Sequence, residues 1–122
     1  MGQRRQYVRQ FFAYKDYFKD FKRTLTKDAR DKLYAVLLLI MTIEDILVKY
    51  FKSIKEVKGL YEIRVEESGN IYRIFCCFDD GNLVILFNGF QKKTQKTPSE
   101  QIAKAERIMN EYFNDKKKNG GK

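Results

Sequence analysis

Apolar residues recur along the chain with two different periods, and the changes of period predict the order of helices and strands. Residues 6–13, "QYVRQFFA", have the composition of a first strand. Residues 16–25, "DYFKDFKRTL", carry Phe18, Phe21 and Leu25 at helical spacing. The chain is therefore predicted to begin with a strand and a short amphipathic helix.

A longer helix is predicted from Lys27 to about Phe51, with Thr26 as its N-cap. Its inner apolar stripe consists of Ala29, Leu33, Val36, Leu37, Ile40, Leu47 and Phe51. Three further apolar residues fall off that stripe, namely Leu38, Leu39 and Ile46. These residues indicate either additional burial in the core or an apolar surface that contacts another chain.

After residue 60 the period changes to two, which predicts three antiparallel strands. The strands read "LYEIRVEE", "IYRIFCCF" and "LVILFNGF", and the turns between them read "SGN" and "DDGN". A closing helix is predicted next, with Thr97 as N-cap, Pro98 as first helical residue and Glu100 completing a capping box. Its apolar face is Ile102, Ala105, Ile108, Met109 and Tyr112. Residues 115–122, "DKKKNGGK", are predicted to be a disordered tail.

Length and charge narrow the class of protein. A chain of 122 residues supports one domain over residues 1–122. The formal net charge is +9, with 25 Lys+Arg against 16 Asp+Glu. Such an excess favours a polyanionic partner, which could be nucleic acid, an anionic membrane surface or an acidic protein. The alternative is a surface charged for solubility.

Cysteine usage and hydropathy predict a cytoplasmic protein without a metal site. Cys76 and Cys77 are adjacent, and neighbours in a strand point to opposite faces, so two free thiols in a reducing cytosol are expected. The chain has no His, and no metal or other cofactor is expected. The N-terminus lacks the apolar stretch of a signal peptide. The longest apolar run, "YAVLLLIMTI", is about half the ~20 residues that span a membrane, so no membrane association is expected.

The two turns also predict which residues share a face of the sheet. If Ser68-Gly69 is a two-residue turn, Arg64 lies opposite Arg73, and if Asp80-Gly81 is another, Arg73 also lies opposite Asn88. The face toward the two early helices would carry Tyr61, Ile63, Val65, Tyr72, Ile74, Cys76, Phe78, Leu83, Ile85 and Phe87. The other face would have an apolar half under the closing helix, made of Phe75, Cys77, Val84 and Leu86. Its polar half would remain open and would carry Glu62, Arg64, Glu66, Arg73 and Asn88.

Two arginines directly opposite each other repel, so the pair is expected to have a compensating negative charge nearby. Either Glu62 or Glu66 neutralises the pair, or an anion sits between the two guanidinium groups. Strand alternation continued from Asn88 reaches Lys92 on the arginine face. The adjoining segment and the preceding loop supply more polar candidates, namely Gln91, Lys93, Lys96 and Lys58. The convergence favours a phosphate site over a solvated loop.

The element order, together with "LYEIRVEESGNIYRIFCCFDDGNLVILFNGFQKKTQKTP", resembles the RelE/HigB family of toxin–antitoxin toxins, in particular its phage-derived HigB-type branch. The resemblance covers roughly residues 6–114. It implies a RelE-like α+β fold: a small, mostly antiparallel sheet, two N-terminal helices on one face and a C-terminal helix. It also implies an mRNA endonuclease that acts on the ribosome. Its expected partner is a cognate antitoxin, a helix-turn-helix protein of HigA type.

The resemblance also implies roles for individual residues. Arg73 matches the arginine that contacts the scissile phosphate, and Arg64 is similar to a basic residue of the preceding strand. Lys92 and Lys93 correspond to the basic residues after the third strand, and the match leaves open which one takes the phosphate. Asn88 stands where many relatives have His, and with Gln91, Lys96 and Lys58 it is a candidate RNA-binding residue.

Such enzymes use the 2′-hydroxyl of the RNA as nucleophile and leave a 2′,3′-cyclic phosphate without a metal ion. Glu62, which stands where some relatives have a basic residue, is the only carboxylate positioned to act as base. A carboxylate held between two arginines is a poor base, however. A lysine, Lys92 or Lys93, with a pKa depressed by neighbouring cations is the alternative.

Two other functions are compatible with the same fold. A ParE-like toxin binds DNA gyrase instead of cleaving RNA, although gyrase inhibition does not require a phosphate site. A non-catalytic RNA-binding regulator is the other alternative, if Asn88 marks a site that has lost its chemistry.

Overall fold

The computed structural model describes residues 7–93 and 97–120, and within them three helices and five strands form a mixed α+β fold. The elements are β1 (Gln10–Ala13), α1 (Tyr17–Arg23), α2 (Lys27–Thr42), β2 (Phe51–Ser53), β3 (Tyr61–Glu67), β4 (Asn70–Asp79), β5 (Leu83–Lys92) and α3 (Ser99–Gly120). The strand order is β1-β5-β4-β3-β2, and β1 alone runs parallel to its neighbour. The predicted fold class is confirmed.

The helices cover both faces of the sheet. One buried cluster joins α1 and α2 to Ile63, Val65 and Ile74, and a second lies between α3 and Phe75, Phe87 and other residues of the opposite face. The predicted apolar face of α3 is confirmed, since Ile102, Ala105, Ile108 and Met109 are buried. Among the described residues, no helix combines the length and apolar character needed to cross a membrane.

The short N-terminal elements follow the predicted pattern. Phe18 and Phe21 of α1 are buried, and the hydroxyl oxygen of Thr26 accepts a hydrogen bond from the Ala29 amide at 3.1 Å, so the predicted N-cap of α2 is confirmed. β1 begins at Gln10, within the predicted strand 6–13, whose first residue lies outside the described part of the chain.

The second helix ends at Thr42, so its predicted extension to Phe51 is wrong. The Arg9 guanidinium donates hydrogen bonds to the carbonyls of Ile40 (3.0 Å), Ile43 (2.7 Å) and Glu44 (2.7 Å). These acceptors are at the helix end, where carbonyls have no partner in a following turn. Phe51 instead begins β2, a strand that was not predicted, and Leu47 is 64% exposed instead of lying on the inner stripe.

The first hairpin of the meander has the predicted register. Glu67 pairs with Asn70 and Arg64 with Arg73. Ser68 (φ 52°) and Gly69 (φ 80°) both adopt left-handed conformations, as a two-residue type I′ turn requires.

The second hairpin differs from the prediction because its loop has three residues. Asp79 pairs with Leu83, not with Asn82. A shift of one residue moves every side chain of a strand to the other face. The predicted facing of β5 is therefore wrong: Val84 and Leu86 pack against α1 and α2, and Ile85 and Phe87 lie beneath α3.

A β-bulge then restores the predicted facing for the end of β5. Cys76 pairs with Leu86 but Ile74 pairs with Gly89, so β5 contains one extra residue in this interval. The predicted pairing of Arg73 with Asn88 is wrong, because Arg73 pairs with Phe90. The longer loop and the bulge each shift the register by one residue in the same direction, and a total shift of two residues returns the side chains after the bulge to the predicted face.

The start of α3 lies one residue later than predicted. The Pro98 carbonyl accepts the first helical hydrogen bond, from the Ile102 amide at 3.2 Å, so Pro98 and not Thr97 occupies the N-cap position. The Thr97 hydroxyl instead donates to Glu62 Oε1 at 3.3 Å. The helix also continues to Gly120, through most of the predicted tail.

Candidate phosphate-binding site

One buried carboxylate lies between two arginines on the open half of the sheet. Glu62 Oε2 is 3.5 Å from the Nε atoms of both Arg64 and Arg73. The side chains of Glu62 and Arg73 are only 6% and 3% exposed, and that of Arg64 is 26% exposed. The two explanations of the arginine pair are thus compatible, since one carboxylate contacts both guanidinium groups and still leaves a positive charge.

Strand geometry brings these three side chains together. Glu62 and Arg64 alternate onto the same face of β3, and Arg73 lies opposite Arg64 on β4. Arg73 Nη1 donates to the Tyr72 carbonyl at 3.1 Å. Within the described residues, the buried Nε groups of Arg64 and Arg73 make no hydrogen bond of good geometry. Each guanidinium has five N–H donors and gives one hydrogen bond to a backbone carbonyl of the described residues through Nη1, so both groups retain donor capacity for an anion.

Arg73 is a buried charge. Burial, and then the nearby charge of Arg64, lower its pKa from the usual value. A guanidinium nevertheless stays protonated at neutral pH. The site thus contains a permanently charged guanidinium whose hydrogen-bonding groups are only partly paired within the described residues.

Lys92 belongs to the same face. It pairs with Ile71 at the end of β5, two residues beyond the Phe90 that pairs with Arg73. Burial lowers the pKa of Lys92, and the positive charge of Arg73 lowers it further. An ammonium in this position loses its proton more readily than an exposed lysine does.

Two cavities meet at Arg64 and Lys92. The first, here the arginine cavity, has a volume of about 550 Å³. It is lined by Arg64, Glu66, Gly69, Asn70, Ile71, Arg73, Lys92 and Lys93. The second, here the β2 cavity, has a volume of about 240 Å³. It is lined by Lys52, Ser53, Ile54, Lys55, Glu56, Glu62, Arg64, Lys92, Thr97 and Ile102.

Other residues predicted for the site have different positions. Lys93 is exposed and lines the arginine cavity, whereas Lys58 is exposed in the β2–β3 loop and lines neither cavity. Gln91 pairs with Tyr72 on the opposite face and donates to Asn70 Oδ1 at 3.2 Å. Lys96 lies outside the described residues.

Asn88 is in the bulge of β5 and lines neither of the two cavities. It is 4% exposed and borders a separate depression beside α1 that is also lined by Tyr17, Thr24 and Lys104. Its amide makes no hydrogen bond within the described residues. Asn88 thus does not share a cavity with Arg73 and Lys92.

Sequence reasoning missed the contributions of Lys52, Ser53, Lys55 and Thr97. The available signal was the apolar spacing of the preceding loop, since Phe51, Ile54, Val57 and Leu60 are buried at every third position. This spacing exposes the polar residues between them. Across residues 7–93 and 97–120, no cluster of three or more Cys, Asp or Glu side chains is placed to hold a metal ion.

Comparison with known protein families identifies one family that matches the chain. The family described as phage derived protein Gp49-like (DUF891) matches residues 19–110, about three quarters of the chain. The chain belongs to this family. Gp49-like proteins are toxin-like, and the matched range contains Glu62, Arg64, Arg73 and Lys92. No protein with a curated description matches the sequence.

Proposed function

We propose that this Gp49-like protein is the toxin of a RelE/HigB-type toxin–antitoxin pair and a metal-independent mRNA endonuclease that acts on the ribosome. The observation that carries the proposal is the buried Arg73, which shares one carboxylate with Arg64 and lines an open cavity with Lys92. Guanidinium groups bind phosphate oxygens through two parallel hydrogen bonds. A buried guanidinium with unpaired N–H groups is stabilised by such a ligand more than an exposed one is.

The proposed reaction uses one base and two cations of the site, together with solvent water. The 2′-hydroxyl oxygen of the RNA attacks the adjacent phosphorus and gives its proton to the neutral amine of Lys92. The bond from phosphorus to the 5′ oxygen breaks, the 5′ oxygen takes up a proton from solvent water, and a 2′,3′-cyclic phosphate remains. Arg73 and Arg64 stabilise the additional negative charge on the phosphorane.

Lys92 is a better base in this scheme than Glu62. The pKa of Lys92 is lowered by burial and by Arg73, so its neutral form is more accessible than that of an ordinary lysine. Glu62 Oε2 lies 3.5 Å from the Nε atoms of both arginines, so this carboxylate is already engaged by two cations. Its proposed role is to hold the two guanidinium groups apart and in place.

The proposed partner is an antitoxin, of the helix-turn-helix HigA type, that covers the site with an acidic segment. Four exposed apolar residues around the end of α2 provide a dry surface for contact, namely Leu38, Ile43, Leu47 and Val48. Reversal of charge at Lys92 and Lys93 should weaken the complex in a salt-dependent manner. Affinity that ignores both reversals and salt would show that the antitoxin binds elsewhere.

The decisive experiment maps mRNA ends by primer extension in a translation reaction. Wild-type protein should cut ribosome-bound mRNA, and Arg73→Ala should lower the rate by roughly 10²–10³, as when one charge-stabilising donor is removed. Arg107→Ala removes an exposed arginine of α3 and is the matched control. Urea denaturation of each variant tests whether it is folded.

A folded Arg73→Ala protein that cleaves like the wild type would contradict the proposal. A gyrase supercoiling assay run in parallel separates the other toxin class. Inhibition of gyrase without mRNA cleavage would replace the nuclease assignment with a ParE-like one.

A further inference from the structure

The β2 cavity contains cations that the proposed cleavage reaction does not use. Lys52 and Lys55 line it with Ser53, and the cavity meets the arginine cavity only at Arg64 and Lys92. Its four cationic side chains outnumber its two carboxylates, of which Glu62 already contacts both arginines. Within the described part of the chain, neither Lys52 nor Lys55 forms an ion pair.

The backbone fixes the position of these lysines. Lys52 pairs with Glu62, so it lies on the same face of the sheet as the arginine pair. The following loop is anchored by buried Ile54 and Leu60, and the Ile54 amide donates to the Leu60 carbonyl at 2.8 Å. Side chains on such an anchored segment lose little further backbone freedom when they bind a ligand.

The β2 cavity and Arg73 are separated by one strand of the sheet. Lys52 is on β2 and Arg73 is on β4, two strands apart, which corresponds to about 10 Å between backbones. Glu62 lies between them and contacts Arg73. The positive charge of Lys52 is nevertheless close enough to contribute to the lowered pKa of Lys92. The two cavities therefore suit two phosphates of one strand that crosses the surface at Arg64 and Lys92.

We propose that Lys52, Ser53 and Lys55 form a second phosphate subsite, which binds the backbone of single-stranded RNA beside the phosphate held at Arg73. The choice of RNA as ligand rests on the proposed function, whereas the subsite itself rests on the geometry of β2. The two lysines neutralise the phosphate, and the Ser53 hydroxyl supplies a neutral donor.

The test measures binding without cleavage. A fluorescent single-stranded RNA of twelve nucleotides, with every ribose 2′-O-methylated, lacks the nucleophile and stays intact. Its affinity is measured over a range of salt concentrations for wild type, Lys52→Ala/Lys55→Ala and Lys19→Ala/Lys118→Ala. The last variant removes two exposed lysines from α1 and α3 and has the same net charge as the test variant.

The test variant should lower the slope of log affinity against log salt by about 1.4, which corresponds to two contacts at ~0.7 each on single strands. The control variant should keep the wild-type slope. A dinucleotide with one phosphate should bind the wild type and the test variant equally, because Arg73 takes that phosphate. Equal changes in both double variants would overturn the subsite and leave only an effect of net charge.

The outcome is independent of whether the protein is a nuclease. A selective loss of binding without any mRNA cleavage by the wild type would support the subsite and contradict the proposed reaction. Cleavage of mRNA by the wild type, together with RNA binding by the test variant that equals that of the wild type, would support the proposed reaction and contradict the subsite.

Discussion

Replacement of Glu62 by Gln tests the electrostatic basis of the site. Gln has nearly the same shape and keeps an oxygen that can accept from Thr97, but it lacks the negative charge that contacts Arg64 and Arg73. Arg73 would then be a buried cation with a like charge directly across the strand pair. We expect the folded state to lose stability while its affinity for anions rises.

The structure indicates the size of the effect. Removal of one partner from a fully buried ion pair costs about 3–5 kcal/mol. The contact with Arg73 is almost wholly buried, whereas Arg64 is 26% exposed and is partly solvated without its partner. We therefore expect a loss of about 3 kcal/mol, near the lower limit of that range. With an m-value of ~2 kcal/mol/M, the urea midpoint falls by about 1.5 M.

Urea denaturation at neutral pH measures this loss, with Glu66→Gln as the control. Glu66 is exposed and lines the same cavity, so its replacement should change stability by less than about 0.5 kcal/mol. Phosphate at ten times its dissociation constant should return about 1.4 kcal/mol to Glu62→Gln. A variant as stable as the wild type, with no response to phosphate, would refute the idea that Glu62 compensates the buried arginines.

Three further predictions concern the chemistry and the fold. The cleavage rate should rise with pH and level off at a pH below the usual pKa of a lysine, because burial and nearby cations lower the pKa of Lys92. Replacement of Lys92 by Arg should remove this rise. A wild-type rate that does not change with pH would exclude Lys92 as the base. Gly89→Ala should lower the free energy of unfolding, measured by urea denaturation, by about 1–3 kcal/mol, because the added Cβ would lie 2.7 Å from Phe21 Cδ2. An additional Phe21→Leu change should recover part of this loss. A Gly89→Ala protein as stable as the wild type would contradict the packing. Burial acts to raise the pKa of Asp79, but the hydrogen bond from Lys116 helps to lower it below the usual value, so the stability that the ionised carboxylate contributes at neutral pH is lost as pH falls through the folded-state pKa. The difference in urea midpoint between wild type and Asp79→Asn should therefore shrink from pH 7 to pH 3. A constant difference would show that the contact is not ionic.

Local sequence signals were sufficient for the arginine pair. The Ser68-Gly69 turn places Arg64 opposite Arg73, because left-handed conformations at both positions select a two-residue hairpin. Glu62 follows from the same register, since it is two residues from Arg64 and therefore shares its face. A neutralising carboxylate beside the arginine pair could thus be predicted, but the choice between Glu62 and Glu66, which both share the face of Arg64, required the structure.

The second hairpin could not be predicted in this way. Asp80-Gly81-Asn82 accommodates either a two- or a three-residue loop, and only packing of the strand between the two helical layers selects between them. The bulge has a similar origin, since the backbone at Gly89 lies against the Phe21 ring where a side chain would not fit. Both are contacts between residues distant in sequence.

The β2 cavity illustrates the same limit. The three-residue β2 is too short to show a period, and it forms because its backbone pairs with β3. The preceding helix ends where Arg9, more than 30 residues earlier in the chain, satisfies its last carbonyls. No local pattern near Lys52 records either contact.

The sequence alone thus determined the order of the main elements and the pairing of Arg64 with Arg73. These properties depend on periodicity and turn chemistry, which act over a few neighbouring residues. Tertiary structure decided where α2 ends, which face most of β5 presents, and that Lys52 and Lys55 adjoin the arginines. These depend on hydrogen bonds and close packing between distant segments, whose free energy is realised only when the chain is folded.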